Sequence, residues 1–133
     1  MSLATEYEVL RIVPGVFRFR LSDETVTVRL FAIPAQVFVK DGDIAVVVNG
    51  VLSVSSDRPR FGEYCDPERM ARQKPVVPEE LDVLSKPLVE IRVGEKTVVV
   101  TLEVTNFVVY PKLRDSYGSP CVTLSWVPFR IVK

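Results

Sequence analysis

Residues 97–110 read TVVVTLEVTNFVVY. Val98, Val100, Leu102 and Val104 alternate with Val99, Thr101, Glu103 and Thr105. A period of two places an apolar row on one face of a strand and a mostly polar row on the other. The phase then flips: Asn106 falls on the apolar row, and Phe107 and Val109 on the polar one. A one-residue slip of this kind marks a β-bulge or a strand that bends between sheets. The stretch is therefore expected to be a long, bent strand through the middle of a barrel or sandwich.

On the C-terminal side, Pro111–Ser119 reads as a polar loop and Cys121–Trp126 as an alternating strand. Pro128 is an interruption before a short last strand at Phe129–Val132. On the N-terminal side, Gly94-Glu95 is a hairpin turn with glycine first. Pairing outward from it sets Ile91 beside Val98 and Val89 beside Val100.

The first half reads as an antiparallel meander. Tyr7–Val13 leads to a Pro14-Gly15 turn, then Val16–Leu21, a polar loop Ser22-Asp23-Glu24-Thr25, and an inward row Val26, Val28 and Leu30. Pro34 is expected at an edge or kink. Asp41-Gly42 and Asn49-Gly50, each between β-branched runs, carry the hairpin signal. Ala45–Val48 has no polar alternate, which predicts a strand in mid-sheet or in an interface.

Residues 57–87 break the pattern and hold five of the ten prolines. Asp66-Pro67-Glu68 reads as a helix start, with a capping carboxylate, proline at the first position and an acid in the first turn. Pro78-Glu79-Glu80-Leu81 reads as a second. The fold expected is a single all-β domain spanning 1–133. It is an antiparallel barrel or two-sheet sandwich of about nine or ten strands, with two short helices in a proline-rich crossover at 57–87. In outline it is similar to small closed barrels such as the oligonucleotide/oligosaccharide-binding fold.

Composition excludes more than it assigns. There is no histidine, which removes Ser-His-Asp and Cys-His nucleophile systems and histidine-held metals. Neither a dinucleotide-binding glycine motif nor a P-loop is present, and no cofactor is called for. Lysine plus arginine equals aspartate plus glutamate at 17 each, without the basic surplus of a generic nucleic-acid binder. The apolar share of 47% favours self-association or a protein partner. No apolar run is long enough for a membrane span, and the acidic N-terminus lacks the pattern of an export signal, so a cytoplasmic protein is expected. Few amides and many prolines point to a thermophile. Cys65 and Cys121 fit free buried thiols in a cytosol, with a disulfide as the alternative in a hot one.

Three clusters could bind an anion or nucleic acid. If Leu21 pairs with Val26, Arg18 faces Arg29 and Arg20 lies beside them; opposed arginines call for an anion, a phosphate or an acidic partner. Otherwise Glu6, Glu8 or Glu24 neutralises them. Arg58, Arg60, Phe61 and Tyr64 mix guanidinium and aromatic groups, which suits stacking on single-stranded bases. The alternative is that the two aromatics plug one end of the core. Lys112, Arg114 and Tyr117 occupy the loop after the central strand. Carboxylate pairs Glu63/Asp66 and Glu79/Glu80 are the weakest candidates, for acid–base work. The expected function is a non-enzymatic interaction module, an oligomer or a subunit of a larger assembly. The alternatives are a nucleic-acid-binding barrel using the arginines and aromatics, and an enzyme built on carboxylates and arginine.

Overall fold

The computed structural model describes residues 3–133. Nine strands and one helix follow in the order β1 (Glu8–Val13), β2 (Gly15–Leu21), β3 (Glu24–Lys40), β4 (Asp43–Ser56), β5 (Glu63–Tyr64), α1 (Pro67–Arg72), β6 (Asp82–Ser85), β7 (Leu88–Val93), β8 (Lys96–Arg114) and β9 (Pro120–Val132). They form an all-β sandwich rather than a closed barrel. One sheet has the order β4-β3-β2-β6. The other runs β1-β7-β8, with β9 on the far side of β8 and β5 beside its C-terminal end.

β8 is the long strand of residues 97–110, extended at both ends. β9 borders its whole length on one side. The other side is served in turn by β7, by the Pro87 carbonyl, by Val76 and by the parallel β5. The bulge falls where the phase flips: Val104 pairs with Trp126 and Asn106 with Ser125, which leaves Thr105 unpaired. Thr105 and Asn106 are both exposed, and Phe107 returns to the interior. β3 repeats the device at Ala35, where Pro34 pairs with Val48 and Gln36 with Val47. Pro34 is therefore a kink in one continuous strand.

The inward rows meet in one apolar cluster. Phe17, Phe19, Val26, Val28 and Leu30 of the first sheet face Val89, Ile91, Val98, Val100 and Leu102 of the second. Phe107 packs edge-on to Phe19 with centroids 5.7 Å apart, and tilted to Phe17 at 6.0 Å, spacings at which aromatic pairs attract.

The Asp41-Gly42 turn and the Gly94 hairpin are as expected, and Ile91 and Val89 pair with Val98 and Val100. So is α1: the Asp66 carboxylate caps it, accepting from Arg69 N at 2.7 Å, with Pro67 first.

Several expectations are corrected. Pro14-Gly15 is no hairpin turn but a corner, where the chain leaves one sheet for the other. A Cβ on Gly15 would lie 2.6 Å from Pro87 Cδ, at the place where the chain crosses back between β6 and β7. Ser85 Oγ donates to the Pro14 carbonyl there at 2.8 Å. Asn49-Gly50 is no turn either: β4 runs straight through it, with Asn49 paired to Ile33 and Gly50 to Ala32. Gly50 serves a close approach, since a Cβ there would lie 2.7 Å from Trp126 Nε1.

Ala45–Val48 belongs to an edge strand rather than mid-sheet. Pro78–Leu81, expected as a second helix, is a bend leading into β6, whose pairing with β2 overrides the helix-start signal. β8 continues to Arg114, shortening the expected loop at 111–119, and Pro128 is accommodated within β9. An edge strand tolerates proline because its N–H need not enter a ladder. Cys65 and Cys121 are joined in a disulfide, Cα–Cα 6.1 Å, in place of two free thiols. Among the described residues no helix is long and apolar enough to cross a membrane.

Candidate functional site

The polar loop expected at Ser22–Thr25 is a two-residue turn, Ser22-Asp23, and β3 begins at Glu24. That moves the register by two. Leu21 pairs with Glu24, Arg20 with Thr25 and Arg18 with Thr27, so Arg18 and Arg29 are not opposed.

The shift also sends Glu24 inward, in phase with Val26 and Val28, where it is fully buried. Its partner is Arg114, 2% exposed at the far end of β8. Arg114 Nη2 donates to Glu24 Oε1 at 2.6 Å and Nη1 to Oε2 at 2.9 Å. Ser56 Oγ donates to Oε2 at 2.5 Å, and Arg114 Nη1 and Nη2 also donate to the Gly118 and Pro111 carbonyls. Burial raises the Glu24 carboxyl, but the hydrogen bonds from Arg114 and Ser56 and the charges of Arg114 and Arg60 outweigh it. The net position is below the ordinary carboxylate value.

Around this pair two loops meet. Arg60 N donates to the Gly118 carbonyl at 3.1 Å, tying residues 57–62 to 115–119. Asp115 Oδ1 accepts from Tyr117 N at 2.8 Å and Ser119 N at 3.0 Å, a side-chain turn that holds the second loop in one shape. Phe61 and Tyr117 stand out from these loops, 99% and 87% exposed, and Tyr64 is also exposed. None of these aromatics plugs the core, because the Glu24–Arg114 pair already closes that end.

The candidate residues thus fall into two groups. At the loop end, Arg114 is committed to Glu24. Arg58 and Arg60 reach Asp23 at 3.2 Å and 3.9 Å, and Arg60 also reaches Glu24 at 3.7 Å. Lys112 is exposed beside them.

On the outer face of the first sheet, Arg18, Arg20 and Arg29 alternate with the buried row. None of the three forms an ion pair among the described residues. Glu24, proposed to neutralise them, belongs to Arg114, and Glu8 to Arg92. Arg18 Nε donates to Thr27 Oγ1 at 3.4 Å and Arg29 Nη1 to Ser55 Oγ at 3.2 Å. Thr25, Thr27, Ser53 and Ser55 complete a hydroxyl-lined face across β3 and β4.

A cleft of about 690 Å³ beside β2 is lined by Arg18, Arg20, Ser22 and Thr25, with Glu79, Glu80 and Asp82 among its other walls. Asp66 is occupied as the cap of α1 and in an ion pair with Arg69. No cluster of three acidic or cysteine side chains that could hold a metal occurs among the described residues. The sequence offers Glu24 only as a loop carboxylate beside Arg18 and Arg29; its burial and its pairing with Arg114 were missed, and the one signal of the burial is its even spacing with Val26 and Val28.

No family model, curated protein or solved structure matches this chain.

Proposed function

We propose that the protein is a non-enzymatic interaction module whose working surface is the open edge of β4, and that its partner is a second copy of the same chain. The observation that carries this reading is the composition of that edge. From Ile44 to Ser56 the strand has neither a charged residue nor a proline. Sandwich proteins blunt unpaired edges with charge, proline, bulges or shortness. The other edges here follow that rule: β1 has Glu8, Arg11 and a bulge, β6 is four residues long, and β9 carries Pro128 and Arg130. β4 does not, and Val47 and Val51 are exposed along it.

The adjoining edge of the second sheet adds exposed Val127, Phe129 and Ile131. Two copies of an edge strand pair antiparallel about a two-fold axis without further matching, and a net charge of zero opposes this little. The scarce amides and the ten prolines support an origin in a hot environment, where a bridge such as Cys65–Cys121 is compatible with a cytoplasmic protein.

Sedimentation equilibrium over a wide concentration range tests the reading. A dimer that Val47→Lys with Val51→Lys converts to a folded monomer is expected. A wild-type protein that stays monomeric at every concentration overturns it.

A further inference from the structure

We infer that the outer face of the β4-β3-β2 sheet binds the phosphate backbone of a single-stranded nucleic acid, independently of the edge proposed above. Every other arginine of the described chain has a carboxylate partner: Arg11, Arg58, Arg60, Arg69, Arg72, Arg92, Arg114 and Arg130. Arg18, Arg20 and Arg29 have none, and they share one face. Among the described residues Arg20 makes no side-chain hydrogen bond, and the side chains of the other two donate only to hydroxyls.

The sheet presents them on a grid. Arg20 is in register with Thr25. Arg18, Thr27 and Ser55 form the next row, and Arg29 with Ser53 the row after. Guanidinium groups and hydroxyls are the donors that fix phosphate oxygens. Arg18 and Arg20 lie two residues apart on one strand face, about 6.7 Å along the strand, a spacing near that of successive phosphates in an extended strand.

Carboxylates bound the grid and limit the track. Asp82 is in register with Arg18 on the β6 side, Glu79 and Glu80 line the cleft beyond it, and Asp57 closes the top while accepting from Thr25 N at 2.7 Å. A backbone laid over β2, β3 and β4 avoids the β6 side. At the top, the loop that begins at Asp57 carries Phe61, tied through Arg60 to the loop of Tyr117. Exposed aromatics are stacking surfaces for unpaired bases. A phosphate face and stacking rings at its end fit a single strand better than a duplex, whose bases are not free.

Fluorescence anisotropy with labelled oligothymidylate and oligouridylate, begun at about 20 mM salt where counterion release favours binding most, tests this. The expected result is binding whose log–log salt slope is about −2, or roughly −0.7 for each of three phosphates neutralised. Arg18→Gln with Arg20→Gln, both exposed positions, should reduce the slope by about 1.4 and leave the circular dichroism spectrum unchanged. Phe61→Ala and Tyr117→Ala should each weaken binding about tenfold.

Competition by pyrophosphate and inorganic phosphate separates the sources. If either binds as tightly as the oligonucleotide, and Phe61→Ala and Tyr117→Ala have no effect, the ligand is a small phosphate and the inference is wrong. Absence of binding at low salt, or binding unchanged in the Arg18/Arg20 variant, also overturns it. None of these outcomes bears on the sedimentation test of the β4 edge.

Discussion

Arg114 reaches Glu24 across 90 residues of chain and holds both of its carboxylate oxygens. The pair lies where β3 begins and β8 ends, so it closes one end of the sandwich with charge rather than hydrocarbon. Every buried side-chain nitrogen and oxygen among the described residues has a partner, so the arrangement is complete. Removing one member leaves the other charged and enclosed, which costs about 3–5 kcal/mol. Glu24→Gln and Arg114→Met are each expected to lose this much in urea unfolding. The double replacement Glu24→Leu with Arg114→Met should lose far less than their sum.

The same pair gives stability a pH dependence. The folded Glu24 carboxyl lies below its ordinary value of 4.5, so the unfolded chain takes up its proton at higher pH than the folded protein does. The stabilisation is complete above that value and is lost as pH falls from it through the folded pKa. Urea unfolding followed from neutral pH into acid should show this loss in the wild-type protein. In Glu24→Gln that part of the slope should be absent.

Gly50 and Trp126 make a narrower test. A methyl group at position 50 meets the indole at 2.7 Å, and the ring must move for it to fit. Gly50→Ala is expected to cost about 1–3 kcal/mol, as overpacking does. The chain has one tryptophan, so a shifted fluorescence maximum should accompany the loss. An unchanged spectrum and midpoint would show that the ring does not pack on this backbone.

The Cys65–Cys121 bridge closes a loop with a sequence separation of 56. In the chain-entropy account a loop of this size stabilises by about 4 kcal/mol. Cys65→Ser with Cys121→Ser, or reduction of the wild-type protein, should lower the melting temperature. The serine variant should no longer respond to reductant.

Much of the fold is legible from local pattern, and the failures share a cause. The Thr105 bulge and the β7–β8 register follow from side-chain period and one turn, both local properties. Pro14-Gly15 and Asn49-Gly50 carry ordinary turn chemistry, yet their glycines answer to Pro87 and Trp126, which are distant in sequence. Glycine marks a turn and a close approach alike, and only the neighbour tells them apart. Glu24 reads as a loop residue for the same reason: the arginine that makes its burial tolerable is at position 114. The candidate arginines were legible as residue types, but their sorting into paired and unpaired sets depends on where Asp23 and Glu24 point.

The two crossings packed together at Gly15 and Pro87 interleave the chain's halves. The first half places β1 in the sheet of the second, and the second half returns β6 to the sheet of the first. A polypeptide cut within the intervening segment would yield two fragments, each missing an outer strand and each carrying one that belongs to the other. Expressed apart, they should remain unfolded. Expressed together, they have the requirements for reconstitution by fragment complementation, which makes this segment the natural place to split the protein.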